Sequence, residues 1–131
     1  MVAPTYRLIE QALAPMIQQR GSAIAWDFDL AHDLPEIVST DSFNDLVRSL
    51  VCESLECLPD GGEISLTACR SGDGWDLEVA DSGPDMEERP CHPRWAAAKL
   101  GVRLQWMNCP QGGCAVVAHF TEQKAQQIKA A

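Results

Sequence analysis

The stretch that decides the fold of this chain is residues 59–83, which read PDGGEISLTACRSGDGWDLEVADSG. Pro59 and the two glycines that follow the aspartate end a helical pattern and turn the chain into Glu63 to Arg70, where apolar and polar residues alternate. A period of two is typical of a strand with one face in water. Ser71 to Gly74 then predicts a tight turn, and Trp75 to Ala80 predicts the return strand. The stretch therefore predicts a β-hairpin.

The elements on either side extend this hairpin. Phe43 to Leu58 carries apolar residues at helical spacing and predicts a helix, with Asp41 or Ser42 as its N-cap. Ala23 to Leu30 alternates apolar and polar residues and predicts a strand before that helix.

Downstream of the hairpin, Arg94 to Leu100 predicts a short helix, and Val102 to Met107 and Cys114 to Phe120 predict two more strands. The full order is helix, strand, helix, hairpin, short helix, hairpin. This order predicts an α/β fold, a two-layer sandwich in which helices cover one face of a mixed, mostly antiparallel sheet.

A chain of 131 residues has the length of one domain. We expect residues 1–21 to form an N-terminal helix or connector, residues 22–121 the folded domain, and residues 122–131 a polar tail. Residues 4–20 carry an apolar stripe, which Pro15 should end or kink because proline lacks the backbone donor. The stripe permits a homodimer through this helix.

The charge of the chain restricts its partners. A formal net charge of -9 opposes binding to nucleic acid or to an anionic membrane surface, so a basic or polar partner fits better. No stretch approaches the roughly 20 apolar residues of a membrane span, and the N-terminus lacks the apolar core of a signal peptide. We therefore expect a cytoplasmic protein. The six cysteines form no C-x-x-C pair, so neither a zinc finger nor a thioredoxin-type motif is indicated, and we expect reduced thiols.

Three features, taken together, resemble the catalytic ATP-binding domain of sensor histidine kinases, a member of the GHKL superfamily. They are the helix end and turn Glu53 to Ile64, the strand Trp75 to Val79 followed by Asp81-x-Gly83-Pro84, and Gly112-Gly113 before the last strand. The resemblance covers roughly residues 22–121. It implies a Bergerat-type fold that holds ATP and Mg between the Phe43 to Leu58 helix and a lid after Gly83.

The resemblance assigns roles to individual residues. Asp81 matches the aspartate that accepts a hydrogen bond from the adenine amino group, and Gly83 matches the next position of that box. The third position, a glycine in the family, is Asp85 here, which adds a Cβ and a negative charge. Cys114 stands where the family has a hydroxyl residue.

The helix box departs further from the family pattern. Ser49, Glu53 and Ser54 stand at the positions of the family's Asn-x-x-x-Asn-Ala box. A carboxylate is a competent Mg ligand, so Glu53 is the candidate metal residue. Together with Asp45 and Glu56 it forms an acidic stripe on one helix face, which is either a solvated face or a vestigial nucleotide site.

The segment after Gly83 has none of the glycines of the family's lid before the next helix, and its prolines remove backbone donors. The nearby cations are Arg89, Arg94 and Lys99. These departures predict that ATP and Mg bind weakly or not at all. The three histidines, His32, His92 and His119, are each predicted to be surface or loop residues rather than phosphoacceptors.

Three functions follow from the resemblance. The first is a degenerate histidine-kinase-like domain that acts in signal transduction by binding a protein: a response regulator, a kinase, or a sigma or anti-sigma-type regulator. The alternative is an active ATP-binding histidine or serine protein kinase subunit, of two-component or anti-sigma-factor type, using Asp81 for adenine and Glu53 for Mg. The third is a phosphotransfer protein with a kinase-like fold.

Overall fold

The computed structural model describes residues 3–37, 40–89, 97 and 100–121. The helices and strands are α1 (Thr5–Arg20), β1 (Ile24–Leu30), α2 (Thr40–Glu56), β2 (Gly62–Ser71), β3 (Gly74–Asp81), β4 (Arg103–Asn108) and β5 (Cys114–Thr121). Short 3-10 turns cover Gly21–Ala23 and Met86–Glu88. The predicted Arg94 to Leu100 helix and the polar tail lie outside the described residues, except that Ala97 and Leu100 are helical and buried.

The five strands form one sheet in the order β1-β2-β3-β5-β4. β1 runs parallel to β2, and the remaining neighbours are antiparallel. The predicted hairpin is confirmed, with Ser71 opposite Gly74 at its turn. Both helices pack on the same face of the sheet, so the expected mixed α/β sandwich is confirmed.

The core lies between the sheet and the helices. Trp75 on β3 stacks on Phe120 of β5, with ring centroids 4.3 Å apart. Phe43 of α2 packs on both rings, at 6.1 Å from Trp75 and 5.8 Å from Phe120. All three side chains are fully buried, and each such side chain contributes roughly 1.5–3 kcal/mol by leaving water.

Helix α1 packs into this same core. Its apolar stripe is buried within the chain, through Leu8, Ile9, Ala12 and Leu13. Side-chain hydrogen bonds join α1 to α2: Arg48 donates from Nε to the carbonyl of Ala12 at 3.2 Å, and Arg20 donates from Nη2 to that of Leu58 at 2.7 Å. The Leu58 carbonyl, just after the last turn of α2, also accepts from the backbone N–H of Gly61 at 3.1 Å, so Arg20 adds a second donor there and ties the end of α1 to the turn after α2.

The structure decides two local expectations about the helices. Of the two effects expected of Pro15, ending or kinking the helix, the first is excluded, because α1 continues to Arg20. Pro15 and Gln11, whose carbonyl loses its amide partner, are both exposed, so water can solvate that carbonyl. Helix α2 begins at Thr40, so Asp41 lies in its first turn rather than at the cap. There its charge still interacts favourably with the helix dipole.

The other face of the sheet carries no helix in the described part of the chain. On β1 the side chains of Ala25, Asp27 and Asp29 are exposed on this bare face, while Trp26, Phe28 and Leu30 alternate toward the helices and are half-buried. Among the described residues no helix is long and apolar enough to cross a membrane.

Candidate functional site

The candidate site is built around Asp81, the last residue of β3. Asp81 lies opposite Ile64 of β2 and Cys114 of β5, and its side chain is 1% exposed. Its Oδ1 accepts a hydrogen bond from the backbone N–H of Gly83 at 2.9 Å. This local bond turns the chain at the end of the strand, as aspartate side chains commonly do.

Arg89 forms a two-pronged ion pair with Asp81. Nη1 donates to Oδ2 at 2.8 Å, and Nη2 donates to Oδ1. Nε donates to the carbonyl of Pro84 at 2.9 Å, which fixes the plane of the guanidinium group. The hydrogen bond to Asp81 raises the pKa of Arg89 above its ordinary value, more than offsetting burial. The carboxylate is therefore neutralised by a group of the chain itself.

The guanidinium group also fills the space around Gly83. A Cβ added at Gly83 would lie 3.0 Å from Nη2 of Arg89 and 3.2 Å from the carbonyl oxygen of Cys57, the residue after α2. Arg89 thus lies beside the end of α2 as well as on Asp81. A ligand donor aimed at Asp81 has to displace it.

Three free thiols surround the ion pair, those of Cys57, Cys109 and Cys114. Burial raises the pKa of each, Asp81 raises it further, and Arg89 partly opposes both effects. These thiols are therefore protonated at neutral pH, and none has the lowered pKa of a reactive cysteine.

The candidate residues on α2, Ser49 and Glu53, do not form a set of metal ligands. The Ser49 hydroxyl is exposed and donates to the carbonyl of Leu46 at 2.8 Å, so it is bonded to its own helix. Glu53, one turn later, is half-buried, and its charge raises the pKa of Cys57. Within the described ranges no group of three His, Cys, Asp or Glu residues is placed to hold a metal ion.

The loop after β3 is tethered a second time. The backbone N–H of Met86 donates to Oδ1 of Asn108 at 2.7 Å, and Nδ2 of Asn108 donates to Oε2 of Glu87 at 3.1 Å. Sequence reasoning missed Asn108, because these contacts cross more than 20 residues and follow no motif. It identified Arg89 as a nearby cation but not as the partner of Asp81.

The structure brings Asp81, Gly83 and Cys114 together, and their role in binding a nucleotide stays a prediction. Glu53 lies near the same cluster through Cys57, whereas Ser49 faces solvent one turn away. Arg94 and Lys99, the other two cations named near the lid, lie outside the described residues. His119, which lies in β5, is not an incidental surface residue, because its ring nitrogens form hydrogen bonds with the carboxylates of Asp76 and Asp73.

The fold matches solved structures of histidine kinases. The nucleotide-free catalytic domain of histidine kinase ThkA superposes with a TM-score of 0.74 at 16% identity, over 88% of this chain and 92% of that chain. The blue-light activated histidine kinase EL346 of Erythrobacter litoralis gives 0.77 at 16% identity, over 95% and 43%. ThkA in complex with the response regulator protein TrrA gives 0.74 at 14%, over 88% and 40%.

No protein-family model and no curated protein matches the chain in sequence. The chain nevertheless has the α/β fold of histidine kinase catalytic domains, over most of its length. The fold that the resemblance implied is thereby confirmed.

Proposed function

We propose that this chain is a signalling domain that keeps the histidine kinase catalytic fold, binds ATP weakly or not at all, and acts by binding a protein partner. The observation that carries the proposal is the ion pair of Arg89 with Asp81. The resemblance to histidine kinases makes Asp81 the carboxylate that accepts a hydrogen bond from the adenine amino group. Here a guanidinium group of the same chain occupies it.

The exchange of Arg89 for adenine is unfavourable because a neutral amino group replaces a cation. Removing one partner of a buried ion pair costs about 3–5 kcal/mol, since the other charge stays desolvated. Asp81 is 1% exposed and Arg89 13% exposed, so most of that cost applies. It corresponds to at least about a hundredfold loss of affinity.

The phosphate side of the site adds electrostatic repulsion. Helix α2 presents Asp45, Glu53 and Glu56 on one face, and Asp85 follows β3 as an exposed carboxylate. ATP and Mg are the cofactors that the fold implies. Asp81 would accept a hydrogen bond from the adenine amino group, and Glu53 would be the Mg ligand. Among the described residues, Arg89 is already engaged by the Asp81 carboxylate, so this cation is not available to neutralise a triphosphate.

A protein partner is supported by the complex of ThkA with its response regulator TrrA. We propose a response regulator as the first partner class to test, before kinases and sigma or anti-sigma-type regulators. Because the apolar stripe of α1 is buried inside the chain, we propose a different protein rather than a second copy as the partner.

The test is calorimetry of the full chain with ATP and ADP, with and without Mg. We expect no binding tighter than about 100 μM. Low-micromolar, Mg-dependent ATP binding that disappears in Asp81→Asn would instead support the active kinase. Phosphate transfer from labelled ATP to a partner protein, lost in the same variant, would establish that alternative.

A further inference from the structure

An open groove of about 630 Å³ lies on the bare face of the sheet, where β1 and β2 begin. Ala25, Ser65 and Ala80 are small residues of its lining, from three adjacent strands. The turn from Cys109 to Gly112 also lines it. A volume of this size is within the range of ligand and peptide sites.

The charged side chains of the groove are all acidic. Asp27 and Glu63 are exposed, and the lining includes no lysine, arginine or histidine. Asp81 also lines the groove, but its carboxylate is engaged by Arg89. Within the described ranges neither Asp27 nor Glu63 forms an ion pair.

Strand register extends the negative charge beyond the groove. Asp29 lies opposite Thr67, which in turn lies opposite Glu78 on β3. Neither of these carboxylates has an ion pair among the described residues. Arg103, a cation of this face, lies farther across the sheet on β4, opposite His119.

This arrangement has no explanation among the residues that the structure describes. Four carboxylates on three adjacent strands repel one another and weaken the sheet slightly. No described cation offsets the repulsion, whereas Asp76 on the next rung has His119 as its partner. The charges are complementary to a cationic group that the described part of the chain does not supply.

We infer that the groove docks a segment of the protein partner that carries lysine or arginine side chains. Their aliphatic stems can lie over Ala25 and Ala80, with the cationic heads at Asp27 and Glu63. A second copy of the chain would place the same carboxylates against each other, and nucleic acid would add phosphates. The inference rests on the proposed function, because it places the contact with the proposed protein partner at this groove.

The test titrates the full ¹⁵N-labelled chain with a ten-residue peptide of alternating arginine and alanine, using NMR. We expect shifts concentrated at β1, β2 and the Cys109 to Gly112 turn. The variant Asp27→Asn/Glu63→Gln should weaken binding about fivefold or more. The matched control Glu10→Gln/Asp41→Asn removes two exposed carboxylates from the helix layer and should change affinity less than about twofold.

Three outcomes would overturn the inference: shifts spread over all acidic surfaces, equal weakening in the control variant, or self-association through the bare face. Thermal unfolding of both variants checks that each is folded as the unsubstituted chain is. The peptide titration is independent of the ATP titration. Absence of peptide binding by the unsubstituted chain therefore rejects the groove as a docking site, whereas tight ATP binding rejects the proposed function.

Discussion

Arg89 neutralises Asp81 across eight residues of chain, and this pair closes the loop after β3 onto the end of that strand. Nε of Arg89 also holds the carbonyl of Pro84 inside the same loop. The loop start is thereby fixed by the residue that covers the carboxylate. The Arg89 side chain therefore both fixes the conformation of the loop after β3 and covers the Asp81 carboxylate.

Arg89→Ala should destabilise the domain by about 2–4 kcal/mol, because it leaves the Asp81 carboxylate buried without a cation. The matched control is Arg70→Ala, whose partner Asp33 is 3.4 Å away and whose side chains are 52% and 74% exposed. That exposed pair should contribute less than about 1 kcal/mol. Urea unfolding measures both. Equal losses would show that the Arg89 pair is no stronger than a surface pair.

Gly113→Ala should be more destabilising than Gly112→Ala. Both glycines have positive φ, 94° and 96°, so alanine at either is strained by roughly 1–2 kcal/mol. A Cβ at Gly113 would lie 2.0 Å from the carbonyl oxygen of Asp81, whereas at Gly112 nothing lies within 4 Å. We expect a further loss of about 1–3 kcal/mol at Gly113 from this overlap, measured by thermal unfolding. Equal stabilities would contradict the close approach.

His119 should titrate above its ordinary value of about 6.5. Its pKa is raised by hydrogen bonds to Asp76 on β3, at 2.5 Å, and to Asp73, at 2.9 Å, with Arg103 on β4 opposing them. Protonated His119 therefore stabilises the folded chain. This stabilisation is complete at a pH below the pKa of His119 in the unfolded chain, and it is lost as the pH rises through the higher pKa of His119 in the folded chain. NMR titration should give a midpoint that falls in Asp76→Asn. A midpoint at or below 6.5 in the unsubstituted chain would refute this assignment.

The free energy of unfolding should depend on pH through the titration of His119. Between pH 6 and pH 9 the unsubstituted chain should lose more stability than His119→Gln does, because only the former has the His119 imidazole, whose pKa is raised by its hydrogen bonds to Asp76 and Asp73 in the folded chain. Urea unfolding at the two pH values checks the difference. An equal loss in both proteins would assign the pH dependence to other groups.

Leu13→Ala should cost about 3 kcal/mol, because Leu13 is fully buried in the core that α1 shares with the sheet. Glu10→Ala, on the exposed side of the same helix, should change stability by less than about 0.5 kcal/mol. If α1 were a loosely attached connector, Leu13→Ala would be nearly neutral in urea unfolding. The comparison therefore tests whether residues 1–21 fold with the domain.

Much of the fold could be predicted from short stretches of sequence. Alternation in Glu63 to Arg70 and Trp75 to Ala80 placed the hairpin, and the turn residues after Asp81 placed the end of β3. Such signals depend on contacts between near neighbours in the chain, which residue types report directly. Helix ends were less certain, since Pro15 is tolerated where its helix faces water.

The sequence by itself determined the element order, the position of Asp81 at a strand end, and the absence of the lid glycines and helix-box asparagines. Only the tertiary structure decided that Arg89 is the cation that covers Asp81, that Asn108 tethers the loop, and that α1 packs along α2. The first set depends on local conformation and residue identity. The second depends on which distant surfaces meet when the core is buried, and no spacing along the chain records that.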